Sequence, residues 1–259
     1  MKATITGSSR LLSEVGALML VACVVAATDG RAQSAPRILA WEGSATAIEN
    51  LILRAGNGSL TVTAAETDRV RISLEVSPKR WTDDESGKKV AAWFLTSGNA
   101  TDAELIASIA LQVKDRGEDV EISLRPGGRT RASRVNEAWT IEVPARLTVA
   151  AEMDAAVVSV AGIAGGFRLR LGHGKADLDL AGGDLDLKVT VGELSVRTRG
   201  DYGDIDLRST VGDTELWLGG LRIDYPDPPG AGSKVAVGGE GTLRAHVEVE
   251  VGDAELRIN

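Results

Sequence analysis

Four regularly spaced aspartates in this sequence are candidates for binding a metal ion. Asp184 and Asp186 recur 20 positions later as Asp204 and Asp206. If residues at this spacing lie on neighbouring strands, separated by about 4.8 Å, the four carboxylates form one patch. Calcium takes six to eight oxygen ligands, so this patch is a candidate calcium site.

The same segment also fits a charge ladder that needs no metal. Lys188 and Arg208 follow the aspartates at the same spacing and can balance their charge, as opposed like charges require. The calcium-binding nonapeptide repeat is not matched either, because Asp177 in "LGHGKADLDL" comes one place late. We therefore expect no bound cofactor, with calcium as the alternative.

Candidate catalytic groups are sparse. The two histidines, His173 and His246, could bind a metal ion or act as a general base. The repeat spacing, however, separates them by about four repeats. No serine stands in a Gly-x-Ser-x-Gly context. A sugar-cleaving β-helical enzyme would use Asp204, Asp206 and Arg208 here. We predict no catalytic residues, with a glycan-processing or calcium-dependent enzyme as the alternative.

Two aromatic residues are candidates for contact with a partner. Trp217 falls between Leu216 and Leu218, so strand alternation places it on the outer face. Tyr202 begins the same repeat. An exposed aromatic ring beside apolar residues is typical of a contact site. The alternative for Trp217 is that the following segment "DYPDPPGAG" covers it.

The elements that would position these residues show an internal repeat. "TVGELSV" from Thr190 returns as "TVGDTEL" from Thr210 and "EVGDAEL" from Glu250, so the copies begin at regularly spaced positions. Apolar residues are odd-numbered before each Gly and even-numbered after it. Such a change of face requires a bend if one face stays buried. The pattern predicts an all-β fold containing a parallel β-helix, or solenoid, with coils of about 20 residues.

This indexing makes two structural predictions. Val191, Val211 and Val251 should point into the core as the last inward residues before bends at Gly192, Gly212 and Gly252. Asp184 should lie beside Asp204 on adjacent parallel strands. By the same rule Arg168, Lys188 and Arg208 form one outward column.

The N-terminal residues resemble an export signal. Lys2 and Arg10 precede the apolar run "VGALMLVACVVAA", and "RAQSAP" offers a small-residue cleavage site near Ser34. We predict a signal peptide over residues 1–34 and a protein of the periplasm or cell surface. "LVAC" at Cys23 also resembles a lipobox, so the alternative is a lipoprotein whose membrane contact is that lipid.

Composition limits the partners and the domain plan. Without residues 1–34, 26 basic and 35 acidic residues remain, a net charge of −9, which argues against nucleic acid as a partner. Residues 35–150 should form a β-rich region with one short helix near 101–110, where "TDAELIASIA" begins with a capping box. Residues 151–259 should form the β-helical repeats, continuous with the first region.

The order of these motifs resembles a bacterial family of exported putative adhesins, a domain of unknown function with β-helical repeats. The resemblance rests on "LRAGNGSLTV", "DAELIASI", "WTIEVPARLTV", "YGDIDL" and "VGDTEL", and covers roughly Ile38 to Asn259. This chain has Val-Gly where the family carries Asn-Gly or Ser-Gly at corners. The resemblance implies an envelope location and a non-catalytic scaffold or adhesive role toward a protein or glycan partner, and no catalytic residues.

Overall fold

The computed structural model describes residues 36–78, 102–125, 134–223 and 233–259, and within these ranges the protein is all-β apart from one short helix. The elements are β1 (Arg37–Ser44), β2 (Asn50–Ala65), β3 (Arg69–Pro78), α1 (Asp102–Ser108), β4 (Ala110–Asp115), β5 (Asp119–Arg125), β6 (Val135–Pro144), β7 (Thr148–Ala161), β8 (Phe167–Asp179), β9 (Leu185–Thr198), β10 (Tyr202–Val211), β11 (Thr214–Leu218), β12 (Leu221–Ile223), β13 (Lys234–Gly238), β14 (Leu243–Val251) and β15 (Ala254–Ile258).

The described strands belong to one open sheet with a parallel centre. Its main path is β1-β3-β6-β2-β7-β8-β9-β14-β10-β13, and the strands from β2 to β10 on this path pair in parallel. Antiparallel pairs flank this centre, with β1, β3 and β6 at one end and β13 at the other. β11 and β15 continue the parallel ladder beside β9.

Each long central strand bends once and buries side chains on both sides of the bend. In β8, Phe167, Leu169 and Leu171 are buried before the bend, and Ala176 and Leu178 after it. We call these two halves the first arm and the second arm. Both arms contribute to the same core cluster, so the sheet folds over one shared interior. The predicted change from odd to even inward positions is confirmed.

A column of glycines lies at the bend. Gly192 has a φ of 148°, in the region that favours glycine. A Cβ at Gly192 would overlap the carbonyl oxygen of Gly174 on the neighbouring strand. Gly252 approaches Gly192 in the same way, and Gly212 approaches Gly252. The predicted bends at these glycines are confirmed, and their cause is close backbone contact between successive strands.

The prediction that the valines before these glycines point inward is wrong. Val191, Val211 and Val251 are 38%, 60% and 45% exposed. The last buried residue before the bend in β9 is Val189, and the β8–β9 ladder already skips the position of Thr190. The bend at Gly192 therefore begins earlier than predicted, directly after Val189. The valines form an exposed column on the outside of the bend.

The prediction that Asp184 and Asp204 lie on adjacent strands is also wrong. β14 lies between β9 and β10, and pairs in parallel with both. Arg168 is likewise not in a column with Lys188, because the register of β8 and β9 pairs Arg168 with Asp186. The repeat spacing seen in the sequence holds only for β9, β10 and β14, whose order in the sheet differs from their order in the chain.

The link from β13 to β14 crosses the start of β10. β13 pairs with one edge of β10 and β14 with the other, and only residues 239–242 connect them. The backbone of Gly241 packs directly on Gly203, where a Cβ on either residue would overlap the other segment. Glycine at these positions lets the chain pass this closely over the strand end.

The predicted short helix is confirmed as α1. Three carbonyls at its C-terminal end, on Ile106, Ala107 and Ile109, accept hydrogen bonds from Nη1 of Arg37 in β1 at 3.1, 2.5 and 2.7 Å. No helix in the described ranges is long and apolar enough to cross a membrane. The predicted signal peptide of residues 1–34, the lipidation site at Cys23 and the segment "DYPDPPGAG" lie outside the described residues.

Candidate functional site

A row of charged side chains crosses the outer face of the first arms. Each of seven adjacent strands contributes one residue, and neighbours in the row are register partners. We call this set the basic row; its members in spatial order are Arg54, Glu152, Arg170, Lys188, Glu248, Arg208 and Lys234. Five cations and two anions give the row itself a net charge of +3, and the acids outside the row that form ion pairs with its cations, Glu121, Asp186, Asp206 and Glu250, offset this charge.

Strand alternation places this row on the surface. Arg170 lies between buried Leu169 and Leu171, and Lys188 lies between buried Leu187 and Val189. Because the apolar neighbours must face the core, the charged residue between them faces solvent. The pairing of the strands then aligns one such residue from each strand.

A groove of about 480 Å³ lies beside part of the basic row. It is lined by Arg54, Ala55, Glu152, Met153, Asp154, Arg170, Leu171, Gly172, Lys188 and Thr190. Ala55, Met153 and Leu171 supply apolar lining, and Met153 and Leu171 are themselves almost fully buried. Gly172, Thr190 and five charged side chains supply the rest. The groove follows the bend across successive strands, so it runs across them and not along any one of them.

Opposite charges surround each cation at the centre of the row. Nη2 of Arg170 lies 2.6 Å from Oδ2 of Asp186. Nζ of Lys188 lies 2.8 Å from Oε1 of Glu250 and 3.4 Å from Oε1 of Glu248. The hydrogen bond to Glu250 is the main cause that raises the pKa of Lys188. Lys188 therefore stays charged throughout the neutral range.

The next cation along the row is Arg208, and it pairs with Asp206, which lies two positions earlier on the same strand. Nε of Arg208 donates to Oδ1 of Asp206 at 2.8 Å, and Nη2 also contacts the carboxylate. This hydrogen bond lowers the pKa of Asp206, and Lys234 and His246 act in the same direction. Asp206 is thus a partner for the cations around it.

The four predicted calcium ligands do not form one patch. Arg244 of β14 lies between Asp184 and Asp204: its backbone N–H donates to Oδ1 of Asp184 at 3.0 Å, and its Nε lies 3.9 Å from Oδ2 of Asp204. His246 likewise lies between Asp186 and Asp206 in the register. Across the described ranges, no group of three or more His, Cys, Asp or Glu side chains is placed to hold a metal ion.

The two histidines occupy different surfaces. Nδ1 of His246 lies 3.7 Å from Oδ2 of Asp206, on the first-arm face beside the basic row. His173 is exposed at the bend, opposite Val191 in the register. The structure does not bring them together.

The two aromatic contact candidates differ in availability. The hydroxyl of Tyr202 donates to the carbonyl oxygen of Gly183 at 2.9 Å and lies 2.9 Å from Oγ1 of Thr198. Burial raises the pKa of the Tyr202 phenol. Tyr202 therefore ties the start of β10 to the end of β9. Its ring is half-buried and packs against the core.

Trp217 lies on the outer face of the second arm, as predicted, and is half-buried. The guanidinium of Arg257 stacks 5.1 Å from the centre of its ring. Nε1 of Trp217 donates to Oε2 of Glu215 at 3.4 Å. Its other register neighbour is Arg222 of β12. Part of the Trp217 ring is thus already covered by side chains of its own sheet.

Two solved structures align with this chain. The crystal structure of a putative cell adhesion protein from Clostridium sporogenes aligns with a TM-score of 0.52 and 14% identity, over 87% of this chain and 100% of that one. The crystal structure of a putative adhesin from Bacteroides fragilis aligns with a TM-score of 0.25 and 11% identity, over 88% and 99%. The first shows a shared fold, and the predicted resemblance to putative adhesins is confirmed at that level.

Two further comparisons found no relative. No family model matches the chain, and no curated protein matches it.

Sequence reasoning missed the basic row, because indexing by the repeat length placed β10 next to β9. A signal for the true order was present. Sequential order would stack Asp186 on Asp206 and Lys188 on Arg208, which is unfavourable on both rows. The segment from Arg244 to Glu248 carries residues of the complementary kind at the matching positions.

Proposed function

We propose that this protein is an exported, non-catalytic scaffold of the cell envelope, whose parallel central strands form a β-helix that presents a rigid outer face to a partner. The observation that carries the proposal is the basic row with its groove. It runs over seven strands held in register by backbone hydrogen bonds, so its side chains start from fixed positions. A partner that binds there meets a surface with little backbone freedom to lose.

The arrangement of ionisable groups favours binding over catalysis. Arg170, Lys188 and Arg208 each have an acidic neighbour within hydrogen-bonding distance, which suits recognition of a polar surface. The name of the structural neighbour that shares this fold, a putative cell adhesion protein, agrees with such a role.

Fractionation of the native organism's cells tests the location. We expect the protein in the periplasmic or envelope fraction, with a mature N terminus near residue 35. Mass spectrometry of the purified mature chain measures this terminus, and a chain that begins with a lipidated Cys23 would establish the lipoprotein alternative. Recovery of the unprocessed chain from the cytoplasm would remove the proposal.

Thermal melting with calcium tests the absence of a resident metal. We expect no change in Tm at millimolar calcium, because Arg244 and His246 separate the aspartate pairs. A rise in Tm that Asp186→Asn and Asp206→Asn abolish would instead restore calcium as a ligand and reopen the calcium-dependent enzyme.

A further inference from the structure

We propose that the basic row and its groove bind a linear acidic polysaccharide, laid across the strands along the row. This inference rests on the proposed function and names the chemical class of the partner. Three properties of the surface carry it: the direction and spacing of the row, the accessibility of its cations, and the two acids within it.

The geometry suits an extended polymer. Adjacent strands lie about 4.8 Å apart, so the row offers one side chain per ~4.8 Å in a nearly straight line. This interval is close to the length of one sugar residue in an extended polysaccharide. The groove runs in the same direction, so a polymer laid along it contacts one strand after another.

The cations are accessible to a ligand. The side chains of Arg54, Arg170 and Lys188 are 57%, 48% and 36% exposed. Their present partners, Glu152, Asp186 and Glu250, are exposed as well, and exchange of exposed ion pairs costs little. Carboxylates of uronate residues can therefore compete for the same guanidinium and ammonium groups.

The two acids of the row select against other polyanions. Glu152 and Glu248 accept hydrogen bonds and donate none when ionised. Sugar hydroxyls can donate to them, whereas the ionised phosphodiesters of a nucleic acid and the side-chain carboxylates of polyglutamate only accept hydrogen bonds and add negative charge there. The mixture of donors and acceptors thus fits a polymer that carries both carboxylates and hydroxyls.

Calorimetric titration with polygalacturonate tests the proposal, in a calcium-free buffer at about 150 mM salt, where long-range attraction is screened. Fully methyl-esterified polygalacturonate has the same backbone without the charge, and oligothymidylate and polyglutamate represent the other polyanions. We expect binding to polygalacturonate, at least about tenfold weaker binding to the ester, and weaker binding to the other two polymers.

Matched double variants localise the binding. Arg170→Gln with Lys188→Gln removes one arginine and one lysine from the row, and we expect about tenfold weaker binding. Lys175→Gln with Arg197→Gln makes the same change in charge on the second arms, and we expect less than a twofold effect. Equal losses in both doubles would overturn the proposal, because they indicate attraction without a site. Unchanged melting of each variant shows that the fold is intact, and Arg54→Gln with Arg208→Gln is the substitute if it is not.

The remaining outcomes separate this inference from the proposed function. No binding to polygalacturonate, or tighter binding to either of the other polyanions, overturns the polysaccharide as the ligand. It leaves the envelope scaffold standing if the protein is exported and fractionates with the envelope. A cytoplasmic protein overturns the proposed function, whatever the titration shows.

Discussion

β8 and β9 are consecutive in the chain and adjacent in the sheet, whereas β9 and β10 are consecutive only in the chain. In the first region, from β7 to β9, each strand pairs with the strand that precedes it in the chain, as β9 does with β8. In the second region, from β9 to β15, the next strand in the chain does not pair with β9. The later strands β14 and β15 pair with β9 instead. Both regions keep the same bend, the same glycine contact and the same alternation of buried residues.

The comparison shows that backbone geometry does not decide which strands are neighbours. A bend with Val-Gly-acid can pair with any other such bend, because the pairing is made by the backbone. Side-chain charge differs between the two orders around β14, whereas the observed order still pairs Arg170 with Lys188 and Arg208 with Lys234. With β14 inserted, Glu248 lies between Lys188 and Arg208, and Arg244 lies between Asp184 and Asp204. Sequential order would place like charges in contact on both rows.

Disulfide trapping gives the sharpest test of the inserted order. Register partners on adjacent strands are close enough to form a disulfide, whereas residues separated by an intervening strand are not. In a chain freed of Cys23 we expect Val191→Cys with Val251→Cys to cross-link almost completely under mild oxidation. Val191→Cys with Val211→Cys should not cross-link. Non-reducing electrophoresis after proteolysis reads both, and the reverse result would establish sequential order.

Glycine replacement breaks the bend that both regions share. Gly192→Ala should lower the free energy of unfolding by about 3 kcal/mol or more, because the Cβ adds an overlap with Gly174 to the strain of a positive φ. Gly117→Ala is the control: its φ is 83°, but nothing lies near the added Cβ, so only about 1 kcal/mol is expected. Denaturant unfolding measures both. Equal losses would mean that the glycine contact contributes nothing.

Reversal of one charge should affect amide exchange differently in the two regions. Glu248→Lys places a third cation between Lys188 and Arg208 and should cost about 1–2 kcal/mol. β14 and β15 are the last strands in chain order, and in the described sheet they link β10, β11, β12 and β13 to β9. The reversal weakens β14 and β15 most directly. Their amides should therefore exchange faster with deuterium than in the wild-type protein.

Two further variants control this reversal. Glu152→Lys makes the same reversal in β7, between Arg54 and Arg170, and should change exchange in β7 less, because the ladders of β7 with β2 and β8 are longer than those of β14 with β9 and β10. Adding Lys188→Glu to Glu248→Lys should restore part of the protection of β14. If amide exchange were the same in all these variants, charge would not be the reason for the order of the strands in the sheet.

Acidification should produce the smallest effect. The folded pKa of Asp206 lies below its ordinary value of 3.8, chiefly because Arg208 donates a hydrogen bond to it. Its stabilising contribution is therefore complete above about pH 4 and is lost as the pH falls through the folded pKa. We expect Asp206→Asn to reduce the fall in stability below pH 4 by less than about 1 kcal/mol. Unfolding curves at pH 3 and pH 6 measure it, and identical pH profiles would contradict it.

Local patterns in the sequence predict more of this fold than of the site. The change from odd to even apolar positions predicts a bend at each glycine, because strand alternation is strict. It does not predict which residue of the bend turns outward, which is why the position of Val191 is predicted wrongly. Periodicity cannot predict the position of β14 either, since β9, β10 and β14 share one spacing. The basic row depends on that order, and only the signs of the charges indicate it.

The late insertion of β14 has a consequence for how the molecule is made. A chain is synthesised from its N terminus, so β9 and β10 are both complete before β14 exists. Until then two strands of matching register are available to each other, with like charges at Asp186 and Asp206 and at Lys188 and Arg208. Like charges at these positions disfavour direct pairing of β9 with β10, and residues 243–259 supply the strands that pair with β9 in the finished sheet. The order in which the strands are made therefore differs from their order in the sheet.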